Sequence, residues 1–154
     1  MQSIQTVSEN IIYVGASDRR LAKFENLFPI PRGVSYNAYV ILDEKTALLD
    51  TADASVGAQF LENVAAALDG RKLDYLIVDH MEPDHAAMIE AVLVRWPDLR
   101  LVVNAKTLPM LKMYFPTDSA AIDDALVVKE GDTLDLGKHK LTFVCLLYTS
   151  PSPR

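Results

Sequence analysis

The chain has 154 residues and a formal net charge of −6, and half of its residues are hydrophobic. That composition supplies one modest domain with a real core, argues against disorder, and gives nucleic-acid binding no electrostatic support. No apolar run approaches a membrane span, residues 1–5 lack the regions of a signal peptide, and one cysteine permits no internal disulfide, so the expectation is a cytoplasmic protein.

Residues 10–14 predict a first strand on Ile11, Ile12 and Val14. Residues 15–33 predict a long connection carrying Phe24, Leu27 and Phe28, which could line a substrate pocket but is expected to cover the core, with Arg19-Arg20 as solvated surface. Residues 35–42 and 46–49 predict strands joined by the polar turn Asp43-Glu44-Lys45, a hairpin signal. Residues 50–53 end the second strand and lead into a helix over 55–68. There Val56, Phe60, Leu61, Val64 and Leu68 recur at helical spacing and Gly70 stops the run. Residues 73–78 predict a buried strand. Residues 86–95 predict a helix with Met88, Ile89, Val92 and Leu93 inward, closed by Trp96-Pro97. Residues 99–103 predict another strand and 107–114 a short helix. Strand character returns at 127–128 and 140–144, around the turn-rich Glu130-Gly131-Asp132-Thr133. His139 lies in a basic turn and is expected to be exposed and not a ligand. Strands alternate with helices in the middle and hairpins lie at both ends, which predicts a layered α/β domain.

The chemistry concentrates in Asp79-His80-Met81-Glu82-Pro83-Asp84-His85, placed between the buried strand and the next helix. Loops beyond strand ends are where α/β proteins keep their sites. In an extended segment His80 and Glu82 point the same way and can grip one ion together, and Pro83 biases Glu82 toward that conformation. Asp84 and His85 follow the turn and can face a second ion. Imidazole with carboxylate suits Fe(II), Mn(II) or Zn(II) in an open site. Each residue also has a plain alternative: Asp84 as a helix N-cap, His80 as a hydrogen-bonded strand-end histidine, Glu82 as a solvated carboxylate. Four ligands are too few for two metals, so others must come from elsewhere.

The pattern His80-x-Glu82-x-Asp84-His85 resembles the metal motif of the metallo-β-lactamase fold, with glutamate where the hydrolases carry histidine. Glutamate there resembles the flavodiiron proteins, or A-type flavoproteins. Val14-Gly15-Ala16-Ser17-Asp18 with Phe24, the segment from Pro31 to Tyr39, and the segment from Asp43 to Thr51 resemble the same family. The resemblance runs from about residue 11 to residue 144. It implies a metallo-β-lactamase-like αββα sandwich, of which this chain holds the N-terminal portion (residues 1–144). It also implies a non-haem di-iron oxidoreductase that reduces O2 to water, NO to N2O, or both. Two Fe ions would sit in the site, His80 and Glu82 on one and Asp84 and His85 on the other. Electrons would come from FMN in a following flavodoxin-like domain absent here, fed by a rubredoxin or a flavin reductase. The resemblance further implies a head-to-tail homodimer, with no nucleic-acid or membrane partner. Asp50, in an Asp-Thr pair typical of the wider fold, is a candidate to support the metal loop; a strand-end residue bonding backbone N–H groups is its plain alternative.

Residues 145–154 depart from this pattern as a Ser/Pro tail. The strand at 141–144 resembles the one that leads to the family's next metal histidine, and no histidine follows. The tail resembles the conceptual translation of a transposase-type sequencing adapter. The expectation is native sequence to about Val144, a read-through tail beyond it, an incomplete metal site, no oxygen reduction by the chain as written, and poor solubility. Two other functions compete: a metallo-β-lactamase-fold hydrolase using metal-bound hydroxide, which Glu82 argues against, and a non-catalytic relative with a structural acidic loop.

Overall fold

The computed structural model describes residues 3–24, 26–116 and 119–144. The tail at 145–154 lies outside the described residues. In chain order the strands and helices are Gln5–Ser8 (β1), Ile11–Tyr13 (β2), Ala16–Asp18 (β3), Lys23–Phe24 (β4), Phe28–Pro29 (β5), Val34–Tyr36 (β6), Tyr39–Ile41 (β7) and Ala47–Leu49 (β8). A 3-10 turn, Ala54–Val56, leads into Gly57–Leu68 (α1). Then come Tyr75–Ile77 (β9), Pro83–Ala86 (α2), Ile89–Arg95 (α3), Arg100–Asn104 (β10), Thr107–Tyr114 (α4), Ser119–Asp123 (α5), Leu126–Val128 (β11), Thr133–Asp135 (β12) and Lys140–Thr142 (β13).

A seven-stranded sheet in the order β1-β2-β7-β8-β9-β10-β11 carries the domain. Its first four strands pair antiparallel, β1 with β2 and β7 with β8 as hairpins, and β8 through β11 run parallel. The side-chain period of a strand sends Val40, Leu48, Leu76, Leu101 and Val103 to one face, where α1, α3 and α4 bury Phe60, Val64, Ile89, Val92 and Leu111 against them. Ile41, Ala47, Ile77 and Val102 point to the other face and meet Leu134 and Leu136 of the β12–β13 hairpin. Around that patch Leu49, Tyr75, Leu126 and Val128 are only partly buried. This is the layered α/β arrangement expected, with the helices on one side of a mixed sheet.

Several expectations are corrected. The strand expected over 35–42 breaks after Tyr36: β6 pairs with β3, β7 joins the main sheet, and between them Ala38 O accepts from Val14 N (2.9 Å). The connection at 15–33 is no bare loop, since it holds β3, β4 and β5. Nor do its tip residues cover the core, because Leu27 and Phe28 are 71% and 61% exposed. The helix expected over 86–95 is two pieces. Pro83, at the first helical position, starts α2 early, and the chain restarts at Met88 to form α3. Met88 is core as expected; its sulfur packs where Gly57 leaves no room for a Cβ (2.5 Å).

His139 is neither freely exposed nor isolated. Its Nδ1 and its backbone N–H both reach Asp43 Oδ2 (2.6 Å each), across 96 positions of sequence. Asp43, with 3% of its side chain exposed, also accepts from the backbone N–H groups of Glu44 (2.7 Å) and Lys138 (3.1 Å). Arg71 donates to the Asp43 carbonyl, and Leu136 O accepts from Lys45 N (2.9 Å). Gly137, at φ +122°, fits only because it has no side chain: a Cβ would lie 2.7 Å from Asp43 Oδ1. The turn between β7 and β8 thus ties the β12–β13 hairpin to the sheet. Burial pushes the Asp43 carboxyl up, but the Lys138 N–H, the His139 ring and N–H, and the Glu44 N–H outweigh it, and the net shift is well below the usual value of 3.8. A depressed acid stabilises the fold above its unfolded value and loses that contribution as pH falls below it. The urea midpoint is therefore expected to drop below about pH 4, and Asp43→Asn to flatten that limb. An acid limb unchanged by the substitution would contradict this account.

Candidate metal centre

The parallel strands β8 and β9 deliver the site to their C-terminal ends. Asp50 follows β8 directly in the left-handed region at φ +57°, while its own N–H still bonds Ile77 O (2.9 Å). That turn aims the carboxylate across to the loop after β9. Oδ1 accepts from Asp79 N (2.8 Å) and His80 N (3.4 Å), and Oδ2 meets His85 Nδ1 at 3.2 Å. Thr51, fully buried, holds the His85 carbonyl from two sides, through its N–H (3.0 Å) and its hydroxyl (2.5 Å). The loop is therefore fixed at both ends of its His-to-His span by residues of the neighbouring strand end.

Glu82 takes the extended conformation expected before proline (φ −69°, ψ 150°) and is itself the cap residue of α2, with no side-chain capping bond. Asp84 is not the N-cap; it lies in the first turn of α2. Its Oδ2 stands 3.5 Å from His85 Nε2, and Glu82 Oε2 stands 3.3 Å from His80 Nε2. The two imidazole rings lie edge to face with centroids 5.4 Å apart. The structure thus brings all four predicted residues together as two adjacent histidine–carboxylate pairs. The His80 side of the site is open, with half of each side chain exposed, and the His85 side is more enclosed.

The donor chemistry fits a cation. With His85 Nδ1–H donated to Asp50, Nε2 carries the lone pair and faces the Asp84 carboxylate. Two acceptors face each other, and a cation between them satisfies both. The fit is pairwise only: among the described residues no group of three or more His, Cys, Asp or Glu side chains is arranged to hold one ion. The site is also crowded with negative charge. Burial raises the Asp50 carboxyl against the hydrogen bonds it accepts. Desolvation first, and the Asp50 charge second, raise the Asp79 carboxyl, although that residue keeps solvent exposure.

Thr51 is the site residue whose particular contact local reasoning does not show. Only the Asp-Thr pair at a strand end signals it, and the hydroxyl's target lies 34 positions away.

Residues 34–149 match the family model described as ODP family beta lactamase. The chain is similar to the nitric oxide reductase of Moorella thermoacetica, at 35% identity over 90% of this chain and 34% of that protein. It is similar to the rubredoxin-oxygen oxidoreductase of Megalodesulfovibrio gigas, at 34% identity over 84% of this chain and 32% of that one. Among solved structures, the rubredoxin oxygen:oxidoreductase of Desulfovibrio gigas superposes with a TM-score of 0.85 at 31% identity, over 92% of this chain and 35% of that chain. A flavo di-iron protein variant from Thermotoga maritima gives 0.79 at 26% identity, over 94% and 37%. The chain spans about a third of the length of the curated relatives it matches.

Proposed function

The chain belongs to the ODP family of β-lactamase-fold proteins, and on that premise we propose that it is the metal domain of a flavodiiron oxidoreductase reducing O2 to water, NO to N2O, or both. The observation that carries this reading is the pairing of His80 with Glu82 and of Asp84 with His85 on one fixed loop. His80 and Glu82 would hold one iron, and Asp84 and His85 the other. A bound iron pair supplies electrons to a small diatomic substrate. Glu82 brings a hard anionic oxygen to the position that makes the site suit iron rather than a hydrolytic zinc set. Asp50 fixes the His85 ring so that Nε2 faces the ion, and Thr51 holds the His85 backbone in register. The exposed flank at His80 and Glu82 is the side from which a small substrate enters. FMN in a flavodoxin-like domain would feed the site, with a rubredoxin or a flavin reductase as donor, and two copies would pair head to tail in the cytoplasm. Among the described residues no helix is long and apolar enough to cross a membrane.

The third histidine is committed to Asp43, so among the described residues each iron would find two ligands. Anaerobic Fe(II) addition, desalting and metal analysis test the assignment. The wild type is expected to retain iron, His80→Ala and His85→Ala to retain less, and the double variant none. Equal iron in the wild type and the double variant would remove the reading.

A further inference from the structure

Tyr36 is a buried phenol with no part in the metal pairs described above. It ends β6, and only 2% of it is exposed. Its backbone is fixed by pairing with Ala16 of β3, and its carbonyl accepts from the Tyr13 hydroxyl (3.3 Å). Its own hydroxyl is hydrogen-bonded to Ser55, and the carboxylates of Asp53, Asp18 and Asp84 all lie close enough for their charge to act on it. Burial first and the Asp53 charge second hold the phenol above its ordinary value of 10.0, so it keeps its proton at neutral pH. Ser55 is exposed. Its N–H donates to Asp53 Oδ1 (2.8 Å) and its carbonyl accepts from Arg20 (3.3 Å), so its backbone is pinned from both sides. Its hydroxyl reaches Asp18 Oδ2 only at 3.4 Å, a long contact that leaves the O–H free to turn. Solvent, the Ser55 hydroxyl, the Tyr36 hydroxyl and the Asp84 side of the site thus follow one another in space.

We infer that Ser55 and Tyr36 form a proton path from solvent to the enclosed flank of the metal centre. The inference rests on the di-iron reading above. Reduction of O2 to water, or of NO to N2O and water, takes up one proton with each electron. Substrate has the open flank at His80 and Glu82. On the other flank the side chains of Asp84 and His85 are only 19% and 27% exposed, and protons bound for it need a carrier. A hydroxyl both donates and accepts, so it passes a proton on without holding a charge. Tyr36 gives its proton inward and takes one from Ser55, and Ser55 takes one from solvent. Each O–H bond that breaks is replaced, and the net movement is one proton from solvent to the site. Arg20 keeps the path clear by holding Asp18 as the anion. Its hydrogen bonds draw the Asp18 carboxyl below its ordinary value, so that carboxyl does not trap the proton.

The hydroxyl itself reports the path. In the full chain labelled with tyrosine carrying carbon-13 at Cζ, deuteration of the hydroxyl splits the carbon signal in mixed light and heavy water. That splitting gives the exchange rate, and Tyr36→Phe identifies the signal. Ser55→Ala, a change at the surface, is expected to slow exchange of the Tyr36 hydroxyl about tenfold or more. An unchanged rate overturns the path. So does a hydroxyl that exchanges only in step with the backbone amides of β6, because it then meets water by opening of the strand. Zn(II) added to the chain is expected to move the Tyr36 signal in the wild type and not in His80→Ala/His85→Ala. No movement with the wild type means that the phenol does not face the site, and also overturns the proposal. Iron retention separates this inference from the reading beneath it. Iron held with exchange indifferent to Ser55 defeats the path alone; exchange dependent on Ser55 without iron defeats the di-iron centre and the proposal with it.

Discussion

Asp50→Ala is expected to lower iron retention by about 10–100-fold without touching a proposed ligand, the usual cost of losing the group that orients a metal-binding histidine. The side chain accepts from Asp79 N and His80 N and meets His85 Nδ1. Its loss frees the imidazole to rotate, so Nε2 no longer stays beside Asp84. It also leaves two backbone donors short of an acceptor, which costs about 1–3 kcal/mol of stability. Asp50→Asn separates the two effects. An amide oxygen still accepts from the loop N–H groups, so most of the stability returns, while the carboxylate partner of Nδ1 is gone and iron retention stays low. Iron titration monitored beside urea unfolding reads both. Full iron retention in a folded Asp50→Ala protein would mean that the His85 ring is held by something else.

Phe60→Ala is expected to cost about 3–5 kcal/mol in urea unfolding, the range for removing a fully enclosed phenylalanine. Phe60 has no exposed surface and sits on the α1 face that packs against the sheet, among Val40, Leu48 and Val64. Against a total stability of about 5–15 kcal/mol, that loss takes the domain to the edge of folding. Leu27→Ala removes a similarly large apolar side chain, yet it should shift stability by no more than about 0.5 kcal/mol, because that side chain is in solvent. A comparable loss from both would mean the tip packs in solution in a way this structure does not contain.

Local pattern made the centre of the chain legible. The helix expected over 107–114 is α4, and the Phe60, Val64, Leu68 spacing marks the buried side of α1, because each depends on a run long enough to express a period. The proposed ligands were legible for the same kind of reason: they lie within six consecutive positions, and Pro83 dictates the conformation of Glu82. The edges were not. β1 is four exposed residues, Gln-Thr-Val-Ser, with no alternation to read, and β12 hides in a stretch rich in turn residues. The break between α2 and α3 falls at Met88, which packs against Gly57, a contact across 31 positions. The Asp43–His139 tie spans three times that distance and leaves no mark in either neighbourhood, so His139 read as a free basic turn. Sequence shows what repeats or sits close together, and tertiary partners do neither.

The left-handed turn at Asp50 has a consequence for timing. Its conformation and its hold on the loop rest on protein groups alone, its N–H on Ile77 O and its carboxylate on Asp79 N. A loop tied in this way is expected to act as a finished receptor rather than a segment that orders around its guest. Ion capture should run at the pace set by shedding water from the metal, and folding and loading should be separable events.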